Sequence, residues 1–408
     1  MTINKQTWPE VINQYEEMIS GVCRRAIDLH SNKLVVEFEL LPPMTEYPEW
    51  GAEITTLLLE SLEQFNKNDG LKSALRATII DLSETDNGLS KRTGKGAELT
   101  YKSAELCCRE GAHLLSIEST GGKKLHDQAL MMADMKGIIC SLGVLAPADM
   151  TILWQQLVNI SSASGAIPAG DSACAFSNTA MVLADKGMIP RILAAVIRVG
   201  SLVRSLESFK QGAIGPSKDC AYEGLYLKAM LGIPISMEGK SSACAHLSHI
   251  GNIASASCDL WSNESIQNVH LLSGDAPVVS MEQLIYDCRL MNQSIKDGSA
   301  SQKKLQEWLV KSDIAFDPQA FVLNPQFAVD LAKVLSLDMD PLTMTIKAMD
   351  FALKAIENAY NCGDLNIVDT ELPWIDRIAA ELAVISTDKS ELIEQVKGIY
   401  PDLDLSNN

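Results

Sequence analysis

Three residues of this chain have side chains that can hold a metal and positions that suit a shared site. They are Glu118 in LLSIES, Cys174 in IPAGDSAC and Cys220 in GAIGPSKDC, each closing a short apolar run. They lie dozens of residues apart. A local zinc finger would instead use clustered pairs such as C-x₂-C, because one loop must then enclose the ion. Ligands this scattered need a large scaffold that brings several strand ends to one point. Three protein ligands also leave the fourth position of a tetrahedral zinc open, the arrangement of catalytic rather than structural sites. Type and spacing alone leave a plainer reading open, with Glu118 as a loop carboxylate and the cysteines as small buried hydrophobes.

The scaffold expected around them is read from hydrophobic periodicity. Thr7-Trp8-Pro9-Glu10 has the form of a capping box with proline in the first turn, opening a helix to about Ile27. Leu34 to Leu40 alternates as a strand does and stops at Pro42-Pro43, and a helix follows from about Ala52 to Phe65. Further strands are expected at Ala77–Leu82, His113–Ile117, Ala166–Ala169, Val203–Glu207, Ile233–Met237 and His270–Leu272. Helical runs such as Asp127–Leu142 and Ile152–Ser162 lie between them. Alternating βα units with short apolar strands indicate a parallel sheet with helices outside. After about Ser280 the strands stop, and helices are expected from Asp340 to Cys362 and near Trp374–Ile385 and Ser390–Ile399.

From about Ala74 to Ser265 the chain resembles the zinc-dependent methanol:corrinoid methyltransferases. The resemblance is carried by SALRATIID, GAHLLSIESTGGK, GAIPAGDSACAFSNTAM, GAIGPSKDCAYE, MEGKSSACAH and CDLWSNES. It implies an α/β fold, a TIM (β/α)₈ barrel rather than a doubly wound sheet. The expected organisation is an N-terminal helical extension over residues 1–30, a barrel domain over 31–285 and a C-terminal helical region over 286–408 packed on the barrel. It implies zinc bound by Glu118, Cys174 and Cys220, and a methyl group passed from methanol to cob(I)alamin carried on a partner corrinoid protein. A complex with two copies of each chain is implied as well. Zinc on the alcohol oxygen would stabilise the charge that develops as the methyl–oxygen bond breaks. Two thiolates and a carboxylate weaken the metal as an acid, so a nearby acid is expected to assist; Asp171, Asp219 and Glu223 flank the ligand cysteines and are the candidates.

Other features are weighed against this reading. Cys244-Ala245-His246 with His249 forms a local Cys/His group that zinc could also use, and Glu238 stands at a strand end where it would line the pocket or pair with Lys240. Gly121-Gly122-Lys123-Lys124 lacks the full phosphate-loop pattern and reads as a turn before a helix, while Thr93–Gly96 reads as a loop. Trp261 reads as a mouth contact or as core. Phe176 and Ser177 stand where the family pattern is more polar, and Ser217 replaces a glycine. A bulky Phe176 beside the metal would suit another small methyl donor, such as a methoxylated or methylthio compound. Zinc hydrolysis by a metal-activated water, and a metal-free scaffold that docks the corrinoid protein, are the readings from other classes.

The net charge of −18 counts against nucleic acid or an anionic membrane as the main partner, and 47% apolar residues over 408 positions support a large core. The N-terminus lacks the features of a signal peptide, and the apolar run between Lys136 and Asp149 is too short to span a bilayer. A cytoplasmic protein is therefore expected. Its cysteines are then free or metal-bound, with Cys107, Cys108, Cys140 and Cys288 read as core.

Overall fold

The computed structural model describes residues 2–83, 92–171, 174–219, 223–237, 249–254 and 276–403. Helix α1 (Trp8–Asp28) leads into strand β1 (Lys33–Leu40), and α2 (Pro42–Glu46) and α3 (Pro48–Asp69) lead into β2 (Lys72–Ile80). Next come α4 (Lys95–Arg109), β3 (Leu114–Glu118), α5 (Lys123–Met132), α6 (Met135–Cys140) and α7 (Ala146–Ser164), with a π-helical turn over Ser141–Leu145 joining the last two. β4 (Ile167–Asp171) is followed by a π-helical turn over Cys174–Asn178, then α8 (Thr179–Asp185), α9 (Arg191–Gly200) and α10 (Leu202–Lys210). β5 (Ser217–Asp219), α11 (Gly224–Leu231) and β6 (Ile235–Met237) complete the described strands. The remainder is helical: α12 (His249–Ala254), α13 (Ala276–Lys296), α14 (Ser299–Asp313), α15 (Pro318–Val322), α16 (Pro325–Val334), α17 (Pro341–Cys362), α18 (Pro373–Ala383) and α19 (Lys389–Ile399).

The first four strands pair in parallel in chain order, and β5 pairs in parallel with β6. Two bonds tie β5 to β4: Ile214 N–H to the Pro168 carbonyl at 2.9 Å, and Ser217 Oγ to the Asp171 carbonyl at 3.2 Å. The order therefore advances without the reversal that defines a doubly wound sheet. Curvature shows in one side chain. Arg76 of β2 donates to the Pro216 carbonyl at 2.7 Å, just before β5. In a flat sheet β2 and β5 would lie about 14 Å apart at ~4.8 Å per strand, beyond the reach of an arginine. Arg76 and its β1 partner Glu37 are both buried, so they fill a closed interior as side chains do in a TIM barrel. The wall of this barrel is what the sequence resemblance implied.

Two apolar cores flank the wall. One packs α1, α3, α4 and α7 against β1 to β3; the other joins α5, α6 and α8 to α11 with the C-terminal helices α15 to α19. Helices α9 and α17 approach so closely that a Cβ on Gly200 would fall 2.2 Å from the Met349 methyl. Helix α13 crosses the boundary expected at 285/286 without a break.

Several local expectations are corrected. Val203–Glu207 is not a strand but the middle of α10, and every residue from Leu202 to Ser208 is buried. Thr7 opens α1, yet its hydroxyl donates to the Thr2 carbonyl at 2.6 Å and caps no helical N–H. The segment Met135–Ser164 runs on as one helix long and apolar enough, by length and composition, to cross a membrane. Most of it is core, with 78% of its most apolar window buried. The strand expected at His270–Leu272 lies outside the described residues.

Candidate active site

Glu118 is the last residue of β3 and is half-buried. Its neighbour Ile117 pairs with Asp171, the last residue of β4. Cys174 follows three positions later as a buried thiol opening the π-helical turn. A π-turn inserts one residue into a helix and is frequent at functional sites. β5 ends at Asp219. Cys220 itself, next in sequence, lies outside the described residues, and so does the side chain of Asp219. Consecutive parallel strands thus deliver Glu118, Cys174 and the residue before Cys220 to the same, C-terminal, end of the barrel wall, where barrel enzymes keep their chemistry. Among the described residues no group of three or more His, Cys, Asp or Glu could hold a metal ion.

Beneath these ends lies a buried polar cluster centred on Arg204 of α10. Arg204 Nη2 donates to Asp171 Oδ2 at 3.2 Å and to Ser119 Oγ, and its Nη1 donates to Ser205 Oγ at 3.2 Å. The Ser205 hydroxyl in turn donates to Glu223 Oε1 at 2.7 Å. Phe176 is wholly buried, with the Arg204 guanidinium 4.7 Å over its ring and His126 edge-on at 5.1 Å. Burial pushes the His126 imidazole below its usual range, although Asp127 pulls the other way. No partner for its Nε2 is present among the described residues.

A second buried cluster stands at the ends of β2 and α7. Arg92 donates to both oxygens of Asp81, at 3.2 and 2.8 Å, and to Asp149 Oδ2 at 2.5 Å. Asp81 also accepts from the N–H groups of Thr120 and Ser83. Burial alone would raise both carboxyls. In Asp81 the charge and hydrogen bonds of Arg92 outweigh it and hold the group below its usual range, whereas Asp149, with fewer donors, stays above. Gly121 is required here, because a Cβ would fall 2.1 Å from Asp149 Oδ2.

A family model for the methanol-cobalamin methyltransferase B subunit matches residues 1–404. The chain belongs to this family. It is 35% identical over 342 residues to the methanol–corrinoid protein co-methyltransferase of Methanosarcina barkeri (strain Fusaro / DSM 804), a match spanning 83% of this chain and 73% of that protein. It also superposes on the crystal structure of the methanol:cobalamin methyltransferase complex MtaBC from Methanosarcina barkeri with a TM-score of 0.86 and 30% identity, over 98% of this chain and 87% of that one.

For a methanol-cobalamin methyltransferase B subunit, the placement of the expected residues divides clearly. Glu118 and Asp171 end neighbouring strands, Cys174 follows Asp171 by three positions, and Glu223 accepts from Ser205, which Arg204 links to Asp171. Phe176 fills core space instead of lining an open pocket. Ser217 stitches β5 to β4. Of the Cys/His group, His249 opens α12 and is engaged by Asp313, with its ring 4.9 Å from Phe316. Cys244, His246, Glu238, Lys240 and Trp261 lie outside the described residues. Gly122 adopts φ +82 in a turn before α5, and Gly94 caps α4, so neither glycine pair forms a phosphate loop. Cys107, Cys108, Cys140 and Cys288 are buried; burial pushes the thiols of Cys107 and Cys140 up to about 12 and that of Cys108 to about 11. Arg204, His126 and the Arg92 cluster carry no signal in a ligand pattern, because their partners lie on other elements.

Proposed function

We propose that this protein transfers the methyl group of methanol to the corrinoid of a partner protein, with zinc held by Glu118, Cys174 and Cys220. The observation that carries the reading is the delivery of Glu118, Cys174 and the residue before Cys220 to one end of consecutive strands. One carboxylate and two thiolates form a donor set that suits zinc, and wide spacing on a rigid wall suits a site with an open position. When bound there, zinc supplies Lewis acidity at the alcohol oxygen.

The chain's own residues supply orientation. Asp171 and Glu223 are committed as acceptors to Arg204 and Ser205, and act as anchors for the segments that carry the ligand cysteines. Asp219 is then the remaining candidate to hand a proton to the departing oxygen. With Phe176 buried, the ground for preferring another small methyl donor falls away, and methanol is the substrate. The partner corrinoid protein presents its cofactor at the barrel mouth, in a cytoplasmic complex with two copies of each chain.

The test is anaerobic methyl transfer from methanol to reduced cobalamin, free and on a partner corrinoid protein, followed by loss of the cob(I)alamin absorbance. Transfer is expected to stop on zinc chelation, to return on adding zinc, and to fall at least about 1,000-fold in Cys174→Ser, since a Lewis acid supplies several kcal/mol of charge stabilisation. Zinc-loaded protein inert towards methanol with both acceptors would overturn the proposal.

A further inference from the structure

We infer that Arg204 is the positioning residue of the metal site, its guanidinium bracing the segments that carry Glu118 and Cys174, while Ser205, next to it on the same helix, holds Glu223. The inference rests on the zinc reading above and goes beyond it by assigning a residue outside the ligand pattern. Arg204 is fully buried on α10, a helix held between the sheet and the C-terminal core. Nη2 reaches Ser119 Oγ, the residue after Glu118. The same nitrogen reaches Asp171 Oδ2 at 3.2 Å, three positions before Cys174, while the guanidinium covers the ring of Phe176, two positions after it. Nη1 reaches Ser205 Oγ at 3.2 Å, and that hydroxyl holds Glu223, three positions after Cys220, at 2.7 Å.

Packing does not explain this arrangement. A buried guanidinium carries a heavy desolvation cost, and an apolar residue of similar volume would fill the space with less. What a guanidinium adds is direction. Its planar fork points several donors along fixed lines and its face stacks on an aromatic ring, which a lysine ammonium cannot reproduce. Groups that orient metal ligands through such contacts typically govern metal affinity by about 10- to 100-fold.

The experiment compares wild type with Arg204→Lys, Ser119→Ala and Cys174→Ser as full-length chains. Zinc affinity is read by competition with a chromophoric chelator, and the thiolate-to-metal and d–d bands are read after Co²⁺ substitution. Arg204→Lys is expected to bind zinc about 10- to 100-fold more weakly, with shifted Co²⁺ bands, because the charge remains but the fork is lost. Ser119→Ala is a small change that keeps the fold, and it is expected to weaken zinc in the same direction by a smaller factor. It carries the test alone should Arg204→Lys fail to fold. Wild-type zinc affinity and unshifted Co²⁺ bands in Ser119→Ala, and in Arg204→Lys where it folds, would overturn the inference while the zinc reading stands. A wild type that binds no zinc, or a Cys174→Ser variant that binds it undiminished, removes both together.

Discussion

Arg204 and Arg92 are both buried guanidiniums paired with carboxylates at strand ends, yet they sit in different kinds of neighbourhood. Arg92 joins Asp81 to Asp149 and thereby fastens the end of β2 to the start of α7. Its guanidinium bonds these two carboxylates, and among the described residues it meets the Glu118 segment only through Asp81, whose N–H donates to the Glu118 carbonyl at 3.2 Å. Arg204 pairs with Asp171, and the same Nη2 reaches Ser119 while Nη1 reaches Ser205 and the guanidinium face covers Phe176. The same chemistry therefore serves as a staple in one place and as a brace for a site in the other. Burial and ion pairing do not separate the two roles; the identity of the partners does.

The comparison can be broken by mutation. The largest effect is expected from Arg92→Met, which strands two buried carboxylates and should lower the unfolding free energy by about 3–5 kcal/mol in urea titration. Zinc affinity of the folded fraction should stay at the wild-type value. A loss of affinity as large as that of Arg204→Lys would erase the distinction. Gly121→Ala comes next. Its Cβ must displace the Asp149 carboxylate from Arg92, at a cost of about 1–3 kcal/mol, and circular dichroism during thermal unfolding would detect it.

The smallest effect belongs to His126, which packs edge-on against Phe176. Its folded imidazole sits below the unfolded value because of burial. Between about pH 6.5 and that lower folded value the unfolded chain binds the extra proton, so stability falls as pH falls through this window. In His126→Phe the dependence of the urea midpoint on pH should flatten there. An unchanged slope would mean that His126 is not the group responsible.

Much of the scaffold was legible because its cause is local. Leu34–Leu40 alternates and is β1; Asp340-Pro341 and Cys362-Gly363 mark both ends of α17, where Asp340 caps the first turn and Gly363 takes φ +79. Val203–Glu207 reads as a strand in the sequence because five residues are too few to separate a short apolar strand from one turn of a buried helix. The apolar residues of α10, Leu202, Val203, Leu206 and Phe209, do recur at helical spacing, while Arg204, Ser205, Glu207 and Ser208 are buried beside them. The ligand candidates were found through residue type and family motif. Arg204 was not, since its meaning lies in Ser119 and Asp171, which the chain places at its side only after folding.

The cover over α9 and α10 comes from the far end of the polypeptide: Leu342, Met349 and Ile356 of α17 belong to the same core as Ile192, Val199 and Leu206. During synthesis Glu118, Cys174 and Cys220 leave the ribosome well before these residues do. Until α17 emerges, α9 lacks the helix it packs on most, and the core beside the helix that bears Arg204 is incomplete. If the proposed site takes zinc, a nascent chain stalled before residue 341 is expected to hold the ion more weakly than the finished chain, and ion and fold mature together.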